Sequence, residues 1–200
     1  MGYNILNPPY ATDFRNMKRE DVEAFYSWLM EQRPVRIIEL QKVVNETAPL
    51  EHWCADYTPA SLKALGNWFM QYVQMRSRTR EEIDKLEAGT RLKGIYGEYE
   101  LSIPTMSFIV DIALYLGEVM RKQFPHTRWE QALKDKRLDT YGKPVLMGLG
   151  SVPFDPIRLI TTMAYRISEG AAWHDDLYQL FVKWARHAMA HDPGAQPAKA

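Results

Sequence analysis

Histidine residues near the C-terminus have a spacing that could support metal chemistry. His187 and His191 are four residues apart, so on a helix both imidazoles would face one side and could supply two metal ligands. No glutamate in the HExxH arrangement lies between them, and no third ligand is evident. Cationic side chains at a helix C-terminus are also favoured by the helix dipole alone. We therefore expect neither a metal site nor a cofactor.

Two other groups of reactive side chains have simpler structural interpretations. His174, Asp175 and Asp176 could supply a base and two carboxylates, but acidic residues in a first helical turn usually cap the helix. Cys54 lies two residues from His52, a spacing that would direct the two side chains apart on a helix. Free cysteine is among the most buried residue types, so we interpret Cys54 as a buried structural thiol.

The charge and glycine patterns argue against nucleotide and nucleic-acid binding. The 25 basic and 25 acidic residues cancel, so no overall field attracts the protein to a polyanion. The basic run at residues 76–80 is followed at once by Glu81 and Glu82, which largely neutralise it. No glycine cluster has the spacing of a P-loop or a dinucleotide-binding loop. We expect no nucleic-acid partner.

The element that must position the remaining polar groups is residues 103–123, IPTMSFIVDIALYLGEVMRKQ. It is apolar on nearly every side of a helix, which predicts a buried central helix. One narrow polar stripe at spacings of three and four interrupts it and contains Ser107, Asp111, Tyr115, Glu118 and Lys122. The favoured interpretation is a solvent edge on which Glu118 pairs with Lys122. In the alternative, Asp111 and Glu118 hydrogen-bond inside the bundle, for example to backbone N–H groups of residues 142–150.

The compartment is predicted to be the cytoplasm, without membrane association. The central segment is about as long as a minimal membrane span, but Pro104, Asp111 and Glu118 lie within it, and charges at bilayer depth are costly. The single cysteine cannot form an internal disulfide, and the N-terminus has no basic region followed by an apolar run.

The fold class predicted from these patterns is a mostly α-helical single domain over residues 1–192. We expect about six or seven helices around the central helix, with at most a minor β element near residues 145–149. Residues 1–15 contain Pro8, Pro9 and several turn formers, which predicts an extended N-terminal arm, and residues 193–200 are predicted to be a disordered tail.

Local signals predict where several helices begin and end. Pro34 is expected to divide the first helix into two pieces. Thr58 is expected to cap the next helix, and Thr79 with Glu82 resembles a capping box. Asp155, followed by proline, predicts the start of a later helix.

Three stretches of the sequence together resemble a group of known proteins. They are DYTPASLKALGNWF, then ALYLGEVM followed by RWE, and then YGKPVLMGLG with FDPIRL. The combination resembles small, mainly helical bacterial proteins of unknown function, some of which look like the immunity proteins that accompany secreted polymorphic toxins. The resemblance covers roughly residues 50–165 and implies a cytosolic antidote that binds a toxin domain and blocks its active site. No catalytic residue carries over.

The function favoured by the sequence is therefore non-enzymatic protein binding, as an immunity-type inhibitor of a bacterial toxin. The candidate partner-binding residues are Asp111, Glu118, Trp129, Glu130, His174, Asp175 and Asp176. One alternative is a small-molecule hydrolase that uses Asp111, Glu118 and a histidine in a cleft between helices. A further alternative is a homodimeric module with a self-complementary aromatic face. An enzyme predicts a pocket where His126, His174 or His187 approaches a carboxylate, whereas a binder predicts an exposed acidic or aromatic patch.

Overall fold

The chain forms a mostly α-helical domain, which confirms the predicted fold class. The computed structural model describes residues 2–10, 12–88 and 97–191, so the predicted tail at residues 193–200 lies outside the described residues. The helices in the described part are α1 (Arg19–Asn45), α2 (Ser61–Tyr72), α3 (Arg80–Ala88), α4 (Ile103–Gln123), α5 (Pro156–Ser168) and α6 (Asp176–His191). The strands are β1 (Met75–Ser77), β2 (Tyr99–Leu101), β3 (Arg128–Gln131) and β4 (Pro144–Met147).

Helix α4 is the centre of the fold, as its apolar pattern predicts. Its N-cap is Ser102, whose side chain accepts a hydrogen bond from the backbone N–H of Thr105, and Pro104 lies in the first turn, where its missing N–H has no intrahelical partner to lose. The five consecutive side chains from Ile112 to Leu116 point to all sides of α4 and are fully buried, and both α1 and α5 pack against this helix. Among the described helices α4 alone is long and apolar enough to cross a membrane, and 72% of its most apolar window is buried inside the fold.

Helix α1 continues through Pro34, so the prediction of two helical pieces is wrong. The helix runs unbroken for 27 residues with Pro34 inside it on an exposed side. Phe25 and Leu29 are buried before the proline, and Leu40 and Val44 are buried after it. Burial of apolar side chains on both sides of the proline outweighs the loss of one backbone hydrogen bond.

The predicted N-cap at Thr58 is also wrong. Helix α2 begins at Ser61, and the carbonyl of Thr58 accepts hydrogen bonds from the backbone N–H and the hydroxyl of Ser61. The hydroxyl of Thr58 donates instead to the carboxylate of Asp56 at 2.8 Å. The Thr58 hydroxyl is thus oriented toward the preceding acidic side chain, and the turn before α2 is held by the bonds from Ser61 to the Thr58 carbonyl.

Two other predicted helix starts are confirmed. Thr79 and Glu82 form a reciprocal capping box at the start of α3, with the Glu82 N–H donating to the Thr79 hydroxyl at 3.2 Å and the Thr79 N–H donating to the Glu82 carboxylate at 2.8 Å. The carboxylate of Asp155 accepts a hydrogen bond from the N–H of Arg158 at 3.0 Å and so caps α5.

Two small antiparallel sheets complete the described architecture. Strands β1 and β2 pair with Met75 opposite Leu101, and strands β3 and β4 pair with Arg128 opposite Met147. The element predicted near residues 145–149 is present as β4. The other strands have three or four residues each, too few to show the alternation of apolar and polar positions that predicts a strand.

Candidate functional site

Asp111 is fully buried in a polar cluster between α4, α1 and the N-terminal arm. Its carboxylate accepts hydrogen bonds from Nε of Arg36 at 2.8 Å and from Nη2 of Arg36 at 2.7 Å. The hydroxyl of Tyr3 donates to the same carboxylate and lies 2.7 Å from the hydroxyl of Ser107. The solvent-edge interpretation is therefore wrong for Asp111, and its hydrogen bonds are internal. The donors are Arg36 and Tyr3, and the suggested backbone of residues 142–150 does not take part.

Burial dominates the protonation behaviour of this cluster. It raises the pKa of Asp111 to about 6, although the hydrogen bonds from Arg36 and Tyr3 favour the ionised carboxylate and act in the opposite direction. Burial, followed by the adjacent Asp111 carboxylate, raises the pKa of Tyr3. Both carboxylate oxygens are occupied and inaccessible. Asp111 therefore cannot contact a partner protein, contrary to its place among the predicted partner-binding residues.

Glu118 and Trp129 are brought together, so two of the predicted binding residues contact each other. The indole Nε1 of Trp129 donates to the Glu118 carboxylate at 2.8 Å. Arg121 and Arg33 also contact this carboxylate, at 3.0 Å and 3.2 Å. Glu118 thus accepts hydrogen bonds from Trp129 and Arg121 and forms an ion pair with Arg33, so it joins α4 to α1 and β3. Glu130, which follows Trp129 and is also a predicted partner-binding residue, pairs with Arg128 on the same strand.

The indole of Trp129 fits against α4 because residue 117 is glycine. A Cβ atom at Gly117 would lie 2.2 Å from Cζ2 of Trp129, which is far inside van der Waals contact. The glycine therefore lets the indole lie directly on the helix backbone beside Glu118. A glycine inside a long apolar helix was the sequence signal for this close approach.

The rest of the polar stripe connects α4 to the loop that precedes α2. The hydroxyl of Tyr115 lies 2.6 Å from the Ser61 hydroxyl and accepts from the backbone N–H of Tyr57 at 3.1 Å. Burial raises the pKa of Tyr115 to about 12. Lys122 donates to the carbonyl of Asp56 at 3.0 Å, so the expected pair between Glu118 and Lys122 does not form. The stripe is thus buried at Ser107, Asp111 and Tyr115 and reaches the surface at Lys122. Each of its members bonds to another part of the chain.

His174 and Asp175 lie in the turn between α5 and α6, and Asp176 is the first residue of α6. Asp176 accepts a hydrogen bond from the backbone N–H of Trp173 at 3.2 Å and contacts Arg166 at 3.3 Å. Asp176 lies in the first turn of α6 as expected, where a carboxylate complements the helix dipole, and its hydrogen bond holds the residue that precedes the helix. Of these three predicted partner-binding residues, His174 and Asp175 are exposed to solvent, whereas Asp176 is half-buried.

Trp173 is an exposed aromatic residue that the sequence analysis did not single out. Its side chain is 71% exposed, and the exposed acidic residues Glu169 and Asp175 flank it in sequence. The turn that carries it is ordered by Arg166, whose Nη2 donates to the carbonyl of Ala171 at 2.9 Å. Trp173 lies just before α6 and outside its apolar periodicity, and that position was the available signal for exposure.

The histidines do not form an acid–base pair in the described part of the chain. Nε2 of His126 lies 2.8 Å from the carbonyl oxygen of Gly148, and Nδ1 of His191 lies 2.9 Å from the carbonyl oxygen of His187. Between residues 2 and 191, excluding residues 11 and 89–96, no histidine hydrogen-bonds to a carboxylate. No group of three metal-binding side chains occurs among these residues either.

Cys54 is exposed, so its interpretation as a buried thiol is wrong. It lies in an irregular segment whose backbone N–H at Ala55 donates to Gln41 at 2.8 Å. The adjacent Trp53 occupies the buried position. In an extended segment neighbouring side chains point in opposite directions, so burial of the tryptophan turns the thiol outward.

Comparison with protein-family models, with curated proteins and with solved structures found no match to this chain. Function is therefore inferred from the arrangement of its own residues.

Proposed function

We propose that this chain is a non-enzymatic protein-binding protein of the immunity type, which neutralises a cognate bacterial toxin in the cytoplasm. The observation that carries the proposal is the exposure of Trp173 beside Glu169 and Asp175 on an ordered turn. A large aromatic side chain that is left in water on a fixed turn is typical of an interface anchor, because tryptophan is enriched among residues that dominate binding energy.

The charges around the anchor favour a partner with a basic surface. Glu169 and Asp175 are exposed. Among the described residues, the carboxylate of Asp175 accepts a hydrogen bond only from the neutral Gln179. Asp176, by contrast, is paired with the cationic Arg166. Acidic residues at the rim of an aromatic anchor steer a basic partner toward the surface and disfavour acidic ones. A toxin domain with a basic active-site surface fits this pattern, and occupying that surface would block its substrate.

The hydrolase alternative has less support from the arrangement of the residues assigned to it. Arg36 and Tyr3 engage Asp111 in the core, and three side chains engage Glu118. A general acid or base must be able to reach its substrate, and neither carboxylate has a histidine partner within the described residues.

The homodimer alternative is tested on the protein alone by light scattering. An immunity-type inhibitor with an unoccupied Trp173 surface is expected to be a monomer at micromolar concentration. A stable dimer that is lost on Trp173→Ala would instead assign the exposed tryptophan to self-association.

The proposal itself is tested by co-expression with the product of the neighbouring reading frame. We expect that product to inhibit growth when expressed alone, and we expect the two proteins to co-purify and growth to be restored when both are present. Trp173→Ala should abolish restoration, whereas Tyr99→Ala should not; Tyr99 is an exposed aromatic on β2 with 60% of its surface in solvent. Absence of binding and of neutralisation would overturn the proposal.

A further inference from the structure

A cavity of about 380 Å³ lies between the N-terminal arm and helices α1, α4 and α5. Most of the side chains that line it are apolar, and they include Leu29 of α1, Ile109 of α4 and Ile157 of α5. Small-molecule sites in proteins usually have volumes of about 300–1,000 Å³ and mainly apolar walls. The size and lining of this cavity are thus those of a small-molecule site.

The two charged side chains at the cavity are already neutralised by other residues. Glu100 is paired with Arg76 and with Arg78, whose Nε lies 3.1 Å from the Glu100 carboxylate. Lys143 lies 3.3 Å from Asp139, and the Asp155 carboxylate is 3.6 Å away. A charged ligand would have to displace one of these partners or remain unpaired in an apolar site, which is costly. The cavity therefore favours a neutral occupant.

Two hydroxyl groups on α5 supply polar contacts. Thr161 and Tyr165 are four residues apart, so they lie on the same side of α5, and both line the cavity. The Thr161 hydroxyl donates to the carbonyl of Ile157 at 2.8 Å, which leaves its oxygen able to accept. The Tyr165 hydroxyl makes no hydrogen bond within the described residues. The Thr161 oxygen can accept a hydrogen bond and the Tyr165 hydroxyl can donate one. Together they suit a ligand with a hydroxyl group, whose oxygen both donates and accepts.

The N-terminal arm forms one wall of the cavity and is fixed on both sides of it. Upstream, the N–H of Leu6 donates to the Ser107 hydroxyl at 2.8 Å. Downstream, the ring of Phe14 packs against the edge of Phe25 with 5.1 Å between ring centroids. Pro8 and Thr12, between these two anchors, line the cavity. The described part of this wall is therefore tethered at both ends.

We infer that this cavity binds a neutral, mostly apolar small molecule with a single hydroxyl group. An engineered apolar cavity of about 150 Å³ holds benzene, so a cavity of this volume holds a molecule of about 15 non-hydrogen atoms. Medium-chain and long-chain alcohols have this chemistry. The site is independent of the Trp173 surface and of the proposed inhibitory function.

The binding class is tested on the full chain with the neutral fluorophore N-phenyl-1-naphthylamine. We expect a saturable fluorescence increase with one site per chain. Dodecanol should displace the fluorophore, whereas dodecanoate and dodecylamine at the same sub-micellar concentration should not. Absence of saturable binding, or equal displacement by the three compounds, would overturn the inference.

The location of the site is tested with a matched pair of substitutions on α5. Thr161 lines the cavity, whereas the neighbouring Thr162 is exposed, and each hydroxyl donates to the carbonyl four residues earlier. Thr161→Trp places an indole in the cavity and should weaken binding of the fluorophore by at least about tenfold, while Thr162→Trp should leave binding within about twofold of the parent. Circular dichroism establishes that both variants are folded. Equal binding by two folded variants would contradict the assignment. If Thr161→Trp does not fold, Ile109→Phe replaces it with the same expectation.

Discussion

Arg36 connects two helices and the N-terminal arm through a single guanidinium group. It donates to Asp111 on α4 at 2.7 and 2.8 Å, to the carbonyl of Asn4 at 2.7 Å and to the hydroxyl of Tyr3 at 2.7 Å. A buried ion pair is costly to desolvate, and it persists where each charge has several well-placed hydrogen-bond partners. The role of this pair is to fix the arm relative to α1 and α4.

Replacing the Asp111 carboxylate by an amide, which turns one acceptor oxygen into an NH₂ donor that faces Arg36 and Tyr3, should therefore destabilise the fold strongly. Asp111→Asn leaves the buried guanidinium of Arg36 without its counter-ion, which costs about 3–5 kcal/mol in the free energy of unfolding. Urea denaturation measures this loss. Glu23→Gln is the control, because Glu23 pairs with Arg19 at an exposed site and its replacement should cost less than about 1 kcal/mol. A loss at Asp111 as small as that of the control would show that the pair contributes little.

Gly117 should be intolerant of even a methyl group. Gly117→Ala forces the indole of Trp129 away from α4 and breaks its hydrogen bond to Glu118, with an expected loss of about 1–3 kcal/mol. Urea denaturation together with near-ultraviolet circular dichroism of the indole checks this. Gly97→Ala has no atom within 4 Å of the added carbon, so it should change stability by less than about 0.5 kcal/mol. Parent-like stability of Gly117→Ala would contradict the described packing.

At the scale of single elements, local chemistry predicted some features well and others poorly. The burial of α4 was predictable because its sequence is apolar on all sides. The caps at Thr79 and Asp155 were predictable because each bond joins residues only three positions apart. Asp111 has a partner 75 positions away in sequence, and nothing near it in the chain identifies Arg36. The spacing of the polar stripe therefore predicted a solvent-exposed edge. Whether each of its side chains is buried or exposed is decided by tertiary packing, which the local sequence does not show.

Pro34 is an unfavourable residue that the rest of α1 tolerates. Pro34→Ala restores a backbone donor inside the helix, where proline costs about 3 kcal/mol, although the more flexible unfolded chain offsets part of that gain. We expect stabilisation of about 1–2 kcal/mol in urea denaturation. Glu31→Ala, at another exposed position of the same helix, should change stability by less than about 0.5 kcal/mol. Destabilisation by Pro34→Ala would indicate that the proline itself is required.

The start of α3 should lose its stabilisation in acid. Hydrogen bonds from Arg76, and then from the N–H of Thr79, lower the pKa of Glu82 to about 2. Because the folded value lies below the unfolded value of about 4.3, the stabilisation is fully present above pH 4.3 and is lost as the pH falls toward 2. Carboxyl NMR titration measures the midpoint. Arg76→Gln should raise it toward 4, whereas Arg80→Gln, which removes the pair with Asp84, should not. An unchanged midpoint in Arg76→Gln would contradict this account.

At the scale of the whole molecule, some polar groups hold the fold together and others are exposed on the surface turn where we propose that binding occurs. Asp111 is buried, and Glu118, Trp129 and Asp176 are engaged by neighbouring residues. The turn between α5 and α6 instead exposes Trp173 with acidic neighbours. The central helix is thus the scaffold, and recognition is assigned to a surface turn.

The most direct test of this assignment is the affinity of the purified chain for the product of the neighbouring reading frame, measured by titration calorimetry. The account predicts one-to-one binding that Trp173→Ala weakens by at least about 2 kcal/mol, the size of effect typical of an interface hot spot. Tyr99→Ala should leave the affinity unchanged within error. Equal affinity of the parent and Trp173→Ala proteins, or no binding by the parent, would contradict it.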